Sequence, residues 1–331
     1  MATVSSPSLE DFFNLNTSDL SLKEEIFRSV DQYHYSQYKN YPSTRKDSLK
    51  ELHKYVLENL FENREWRFHY EKINDVPFLL GCRFSKWDSE HFGFGVAFLS
   101  LLLGGSIDDQ NSLDKIIRKC IGVLKKSNVR FVSARIHGDF IEAIHSFENN
   151  GFRYFENIIW PVADVRDRNL TCSDEVRMIR TDELSDIVKL GVEHIYKRGH
   201  YHCDKNLDIK SVNALYGRLV TSSWDRKDSF VVIEEDNLIK GFFIFICDET
   251  LSRITGYKYA RMYSLALNSD SRGKGMGKQL FEGMMALAQD KGAEMIDSGY
   301  SSKNHASARL HSTFGFYSVY EEITMHTWLN P

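Results

Sequence analysis

One segment constrains the fold more than any other: Tyr263–Gly292, which reads YSLALNSDSRGKGMGKQLFEGMMALAQDKG. An apolar strand ends at Asn268, a short polar turn follows, and Arg272, Gly273, Lys274, Gly275, Met276 and Gly277 lead into a helix. That helix carries Met276, Leu280, Phe281, Met284, Leu287 and Ala288 on one face, and Gly292 stands just past its end, where a left-handed cap belongs. Glycines at a strand-to-helix turn let backbone N–H groups approach an anion closely, and the helix N-terminus adds partial positive charge. Such a turn suits a pyrophosphate, although the same residues would also serve a turn that only caps a core helix. The spacing excludes two other phosphate cradles. A P-loop requires GxxxxGK followed by Ser or Thr, and a dinucleotide fold requires GxGxxG after an early strand. Here the pattern is RxxGxG, late in the chain.

The rest of the chain reads as strands and helices in alternation. From Ser21 to Glu62 apolar residues recur at helical spacing, interrupted at Asn40-Tyr41-Pro42-Ser43, which predicts two helices of a packing or dimerisation element. WRFHYEKI and PFLLGCRFS predict strands around the turn NDVP, and VAFLSLLLGG predicts a third, buried strand. SLDKIIRKCIGVLKKSN is an amphipathic helix followed by the strand RFVSARI, giving a β-β-β-α-β order. FIEAIHSFENN, ending at Gly151, predicts another helix, and FRYFENIIW another strand. The second half repeats the plan, with strands at EVRMIR, SFVVIEED, LIKGFFIFIC and RMYSLALN, then helix, strand, helix, strand. Ala143–Phe152 (AIHSFENNGF) resembles Ala308–Phe316 (ARLHSTFGF), which suggests an internal duplication. The polar stretch DVRDRNLTCSDE places the expected boundary after residue 165, giving an N-terminal helical extension (1–62), a first domain (63–165) and a second (166–331).

A chain of 331 residues is long enough for two cores. A formal net charge of −4 gives no electrostatic reason to expect a nucleic-acid partner, so any anion site must be local. The five cysteines, Cys82, Cys120, Cys172, Cys203 and Cys247, lack the spacing of a zinc site or disulfide framework, and no metal is expected. The N-terminus lacks a basic region followed by an apolar stretch, and the longest apolar runs are too short to span a bilayer. The expectation is a cytoplasmic protein without a membrane anchor.

RxxGxG at Arg272, Gly275 and Gly277 resembles the coenzyme A motif of the GNAT superfamily of N-acyltransferases. The resemblance implies an α/β (α+β) fold with a mixed central sheet flanked by helices, here with a degenerate first half that retains no RxxGxG. It also implies that the backbone of Gly273, Lys274, Gly275, Met276, Gly277 and Lys278 holds the pyrophosphate, with an acyl-coenzyme A (acetyl-CoA or 3-hydroxybutyryl-CoA) as co-substrate. The preceding strand, at Leu265, Ala266 and Leu267, would pair with pantetheine as an added strand and polarise the thioester carbonyl. Farther on, NHASARLHSTFGF is similar to the superfamily's second element, with Asn304, Ser307, Leu310, Gly315 and Phe316 at its marked positions. Where relatives have a tyrosine that protonates the departing thiolate, this chain has His311. An imidazole can donate a proton near neutral pH, but a packed helix histidine fits equally, and Tyr317 and Tyr320 are nearby substitutes.

For the acceptor, WDSEHFGF (Trp87–Phe94) resembles the Trp-Asp-Ser-x-Phe-Phe-Gly element of the TDP-fucosamine acetyltransferase (WecD-like) group. His200–Trp224 resembles that group's Arg-Phe-x-x-Asp and Leu-Tyr-x-x-Trp segments, with Tyr201, Asp204, Leu215 and Tyr216 at marked positions. His200 replaces the usual arginine and Arg218 the tryptophan. The resemblance implies a dTDP-linked amino-dideoxysugar acceptor, in lipopolysaccharide or capsule biosynthesis, attacked directly in a ternary complex. Candidates for the base are His202, Asp204 and Glu234 in that order, from their place in the supposed acceptor loop. Tyr196, Tyr201, Tyr216 and Trp224 could stack a thymine or form core. Trp87 and Asp88 could shape the acceptor cleft or cap a strand. The competing expectations are an enzyme acting on another small amine or peptide, and a coenzyme A-binding sensor without turnover. The N-terminal helices could support a homodimer.

Overall fold

The computed structural model describes residues 8–30, 38–45, 48–104 and 109–329. Residues 31–37, inside the expected helical stretch, and Gly105, at the end of the expected third strand, lie outside these. The chain forms two compact units: Met1–Asn40, Asp47–Asn157 and Tyr320–Pro331 make the first, Tyr41–Lys46 and Ile158–Val319 the second.

In the first unit, after the one-turn α1 (Leu9–Phe12), helices α2 (Leu20–Ser29) and α3 (Ser48–Glu62) flank the proline break. Asp19 caps α2 by accepting from the N–H groups of Ser21 and Leu22. Their apolar stripes bury Ile26, Leu57 and Phe61 against Phe68, Leu79 and Leu103 of the sheet. Strands β1 (Trp66–Ile73) and β2 (Val76–Phe84) form a hairpin. Asn74 and Asp75 turn it with φ of 50° and 64°, the two-residue left-handed turn whose twist matches the strands. A short helix, α4 (Lys86–Phe92), intervenes before β3 (Gly95–Leu103), which the expected β-β-β-α-β order lacked. Helix α5 (Gln110–Lys126) returns the chain so that β4 (Val129–His137) lies parallel to β3, and α6 (Ile141–Asn149) leads into β5 (Arg153–Asp164). Ile116, Ile117, Cys120 and Leu124 of α5 bury into one core with Leu80, Leu99, Val132 and Phe147. Each such side chain contributes on the order of 1.5–3 kcal/mol on leaving water.

The second unit continues with β6 (Val176–Met178), α7 (Leu184–His194), α8 (His200–Cys203), α9 (Ile209–Asp225), and the hairpin of β7 (Ser229–Glu235) and β8 (Leu238–Asp248). Then come α10 (Glu249–Thr255), β9 (Tyr259–Leu267), α11 (Met276–Asp290), β10 (Met295–Ser298), β11 (Tyr300–Ser301), α12 (His305–Thr313) and β12 (Tyr317–Trp328). The apolar runs of β7 and β8 are near-continuous because both sheet faces are covered. Val231, Ile233, Phe243 and Phe245 pack under α11, while Phe230, Val232, Phe242 and Ile244 pack under α7 and α9.

Two strands cross between the units. β12 starts in the second unit, but from Tyr320 onward it belongs to the first, pairing antiparallel to β4 from Glu322↔His137 to Trp328↔Phe131. β5 crosses in the opposite sense between Asn157 and Ile158, and its later residues pair with β10 and β11. The division therefore falls inside a strand, whereas the polar stretch near residue 165 is only a connection within the second unit. The two segments that resemble each other in sequence end their helices, α6 and α12, with the same kind of cap. Phe152 N–H donates to Phe147 C=O at 3.0 Å, and Phe316 N–H to His311 C=O at 2.9 Å, each around a left-handed glycine, Gly151 or Gly315.

Candidate functional site

The site begins where two parallel strands part. β10 pairs with β9 only from Met295↔Tyr259 to Ser298↔Met262. The next residue of β9, Tyr263, is a bulge: Ile244 of β8 faces Ser264 and Phe245 faces Met262, leaving Tyr263 without an opposite number. A bulge bends its strand, so β9 leaves β10 at this point. The strands are locked just before they separate, because Arg261 donates through Nε and Nη2 to the fully buried Asp297 at 2.9 and 2.7 Å, and Tyr41 donates to the same carboxylate at 3.0 Å. A buried carboxylate so paired is neutralised in place.

Beyond the bulge, no strand pairs with the β10 side of β9 among the described residues. Asn268 N–H donates to Lys240 C=O at 2.7 Å, which makes Asn268 and Ala266 the residues that bond to β8. By the alternation of an antiparallel ladder, the backbone groups of Leu265 and Leu267 turn the other way, into the opening. The Leu267 carbonyl accepts from Arg272 Nε at 3.3 Å, which leaves both N–H groups to face an extended ligand.

The glycine turn follows. Asn268 accepts from Asp270 N–H and starts a single 3-10 turn, Ser269–Ser271. Arg272 then braces the turn, its Nη2 donating to His194 C=O of α7 at 3.0 Å. Gly273 and Gly275 have φ of 76° and 85°, which side-chain residues seldom adopt, and a Cβ on either would meet nothing within 4 Å. The glycines are therefore required by the backbone path, and open space lies beside them. The first N–H groups of α11 and its dipole point at that space, a fit for a pyrophosphate. Among the expected residues, Leu265, Ala266, Leu267 and the segment Arg272–Lys278 thus come together along one path.

Helix α12 carries the second expected element, and its side chains serve the helix itself. Asn304 is its N-cap, accepting from Ser307 N–H at 3.2 Å. His311 is 3% exposed, its Nδ1 donates to Ser307 C=O at 2.8 Å, and burial lowers its pKa to about 4. At neutral pH it is uncharged, with its only proton engaged. This corrects the expectation that His311 supplies a proton, since the imidazolium needed for that role is disfavoured by burial. Of the substitutes, Tyr317 is exposed at the start of β12, and Tyr320 packs edge-on against His137 in the first unit.

The expected acceptor residues form a separate group. His202 stacks on Tyr216 with ring centroids 5.2 Å apart, and its Nε2 lies 3.0 Å from Asn213 Oδ1. That contact requires Nε2–H, so Nδ1 is the bare nitrogen, and burial lowers the pKa. Nδ1 is buried without a partner, so the neutral ring keeps an unused lone pair there. Asp204 accepts from Asn206 N–H in a turn, and Glu234 is engaged by Arg177, so neither has the same freedom. Glu234 lines a charged cavity of about 370 Å³ between α7 and the β7–β8 hairpin, with Arg180, Lys189 and Lys240. Tyr201 lies against His200, and Trp224 meets Phe230 edge-on in the core under α9. In the first unit, Trp87 stacks near His91 and the buried Asp88 bonds with Ser85 at the start of α4. Neither the Tyr263 bulge nor Tyr300, whose ring stacks on His311 at 4.6 Å, is marked by any motif.

Among the described residues there is no cluster of three or more His, Cys, Asp or Glu placed to hold a metal, and no helix long and apolar enough to cross a membrane.

Residues 198–316 match the Acetyltransferase (GNAT) family. The L-amino acid N-acyltransferase MnaT of Escherichia coli (strain K12) is 29% identical over 86 residues, 26% of this chain and 48% of the relative. The chain thus matches about half the length of that curated relative. Among solved structures, a GCN5-related N-acetyltransferase from Sphaerobacter thermophilus superposes with a TM-score of 0.58 at 10% identity, covering 84% of this chain and 86% of the other. A tandem GNAT protein from the clavulanic acid biosynthesis pathway superposes with a TM-score of 0.55 at 10% identity, covering 96% and 98%.

Proposed function

From a chain that has the GNAT fold and matches the GNAT acetyltransferase family over residues 198–316, we propose an N-acyltransferase that moves an acetyl group from acetyl-CoA to the primary amine of a small molecule. One observation carries the proposal: β9 leaves β10 at the Tyr263 bulge and runs, with unpaired backbone at Leu265 and Leu267, into the left-handed glycines Gly273 and Gly275. An extended pantetheine arm fits the first part and a pyrophosphate the second.

Bound there, the co-substrate supplies an activated acyl thioester. The Leu265 and Leu267 N–H groups donate to its chain and carbonyl, stabilising charge that develops on oxygen during attack. Gly273–Lys278 hold the phosphates, and Arg272 keeps the turn in place through α7. His202, neutral with Nδ1 bare, takes the proton from the acceptor ammonium, and Tyr216 keeps its ring flat. Asp204 shapes the turn beside it. The first unit, with its helical extension, acts as a degenerate domain, and the second unit, which carries the glycine turn, as the catalytic one.

The resemblance at Trp87–Phe94 and His200–Trp224 supports a dTDP-linked amino-dideoxysugar as acceptor, with Tyr201 and Tyr216 of the second unit in contact with it, and an acetyl or 3-hydroxybutyryl donor. A second reading, an L-amino acid acceptor, is favoured by the similarity to MnaT. The deciding experiment is thiol release from acetyl-CoA and 3-hydroxybutyryl-CoA by the full chain with a panel of dTDP-amino-dideoxysugars, L-amino acids, an aminoglycoside and a peptide. Turnover confined to the nucleotide sugars supports the first acceptor, and turnover confined to amino acids replaces it with the second. Coenzyme A binding without turnover on any amine sinks the enzyme assignment.

A further inference from the structure

A thioester that loses its acyl group leaves a thiolate, whose departure is eased by a proton delivered to sulfur. His311 cannot deliver it, because its one N–H is given to Ser307 C=O and its Nε2 is a bare, buried nitrogen. The ring stacked on His311 can. Tyr300 lies 4.6 Å from it, centroid to centroid, with 29° between the planes. It sits in β11, just past Ser298, where the pairing of β10 with β9 ends and the chain turns to pair with Ile159 of β5. Tyr300 therefore follows by two residues the point where β10 and β9 part and the opening begins. Its side chain is part-buried and its hydroxyl has no hydrogen-bond partner among the described residues, while burial raises the phenol's pKa and keeps the proton on it.

We propose that Tyr300 is the proton donor to the departing thiolate, with neutral His311 as the surface that fixes its ring. The assignment rests on the acyl-transfer reading above. The acceptor nitrogen forms its bond to the thioester carbonyl carbon, and the carbon–sulfur bond breaks with its electron pair on sulfur. The Tyr300 hydroxyl proton passes to that sulfur and gives the free thiol. The acceptor ammonium gives its first proton to His202 before attack, and the phenolate is restored by the second proton that the nitrogen loses on becoming an amide, relayed through solvent. A histidine in the usual tyrosine position thus leaves the reaction with its phenol, supplied from a neighbouring strand.

The test compares the full-length protein with Tyr300→Phe, which keeps the ring and its stacking. Two quantities are measured: kcat for thiol release, and the thiolate absorbance of bound coenzyme A as pH is raised without acceptor. The expected results are a loss in kcat of about 100-fold with coenzyme A affinity unchanged, and a bound thiol that ionises about one pH unit higher in Tyr300→Phe than in the wild type, because the phenol's hydrogen bond to the thiolate is gone. A Tyr300→Phe protein that keeps kcat within about twofold and leaves the bound thiol's titration unmoved would overturn the Tyr300 assignment alone. A wild-type protein that turns over no amine would overturn the acyl-transfer reading and the proton's use with it, even if the two titrations differed.

Discussion

At the scale of single residues, His311 joins burial, protonation and stability. Its folded pKa, about 4, lies below its unfolded value near 6.5, so the unfolded chain binds the extra proton. The stability that goes with a neutral His311 is fully present above pH 6.5 and is lost as pH falls toward 4, by about 3 kcal/mol in all. Urea denaturation at several pH values should show this slope in the wild type and a shallower one in His311→Gln, which has no such proton to gain. Gly275 makes a different demand. With φ at 85°, an alanine costs about 1 kcal/mol, and its Cβ enters the open space beside the turn. Gly275→Ala should therefore lower coenzyme A affinity, by calorimetry, far more than it lowers the melting temperature. Both residues stand in motifs visible in the sequence. What the sequence did not show is that His311 is closed in by Phe281, Tyr300 and Phe316, since enclosure depends on partners from other elements.

At the scale of elements, legibility followed locality. Helix α11 and the end of β9 could be placed because the glycines, the apolar stripe and the cap all lie within one short segment. The bulge at Tyr263 could not, because it is a property of the β8–β9 register and not of any residue type. The segment Tyr41–Arg45 was legible only as a break between helices. In the structure it bonds to the end of α10, with Thr44 N–H and Ser43 Oγ both donating to Thr255 C=O at 2.9 and 2.8 Å. Pro42 C=O accepts from Tyr259 at the start of β9. The contact at Gly256 is close: φ is 84°, and a Cβ would lie 2.1 Å from Thr44 Oγ1. Gly256→Ala should destabilise by about 1–3 kcal/mol, from backbone strain and collision together. Adding Thr44→Ala should recover only the collision part. A double mutant no more stable than Gly256→Ala alone, by thermal melting, would remove Thr44 as the reason for the glycine.

At the scale of the whole molecule, the boundary after residue 165 is where the sequence turns polar, yet β12 carries the end of the chain back to the first unit. Antiparallel pairing with β4 from Glu322 to Trp328 supplies the core with Met325, which is fully buried, and hides Thr324 and His326. A fragment ending at residue 165 keeps every helix of the first unit but leaves β4 without that partner. Its exposed ladder edge is a template for pairing with other chains. Expressed alone, residues 1–165 should aggregate or lack a cooperative melting transition, whereas co-expression with 166–331 should restore a soluble complex through β12. Cutting the last twelve residues, Tyr320–Pro331, from the full chain is the sharper form of the same test. All the cofactor-site residues lie before that cut. The prediction is that the second unit's amides stay protected from hydrogen exchange while those of β4 lose protection. Retained protection in β4 would mean that the first unit closes its sheet without the returning strand.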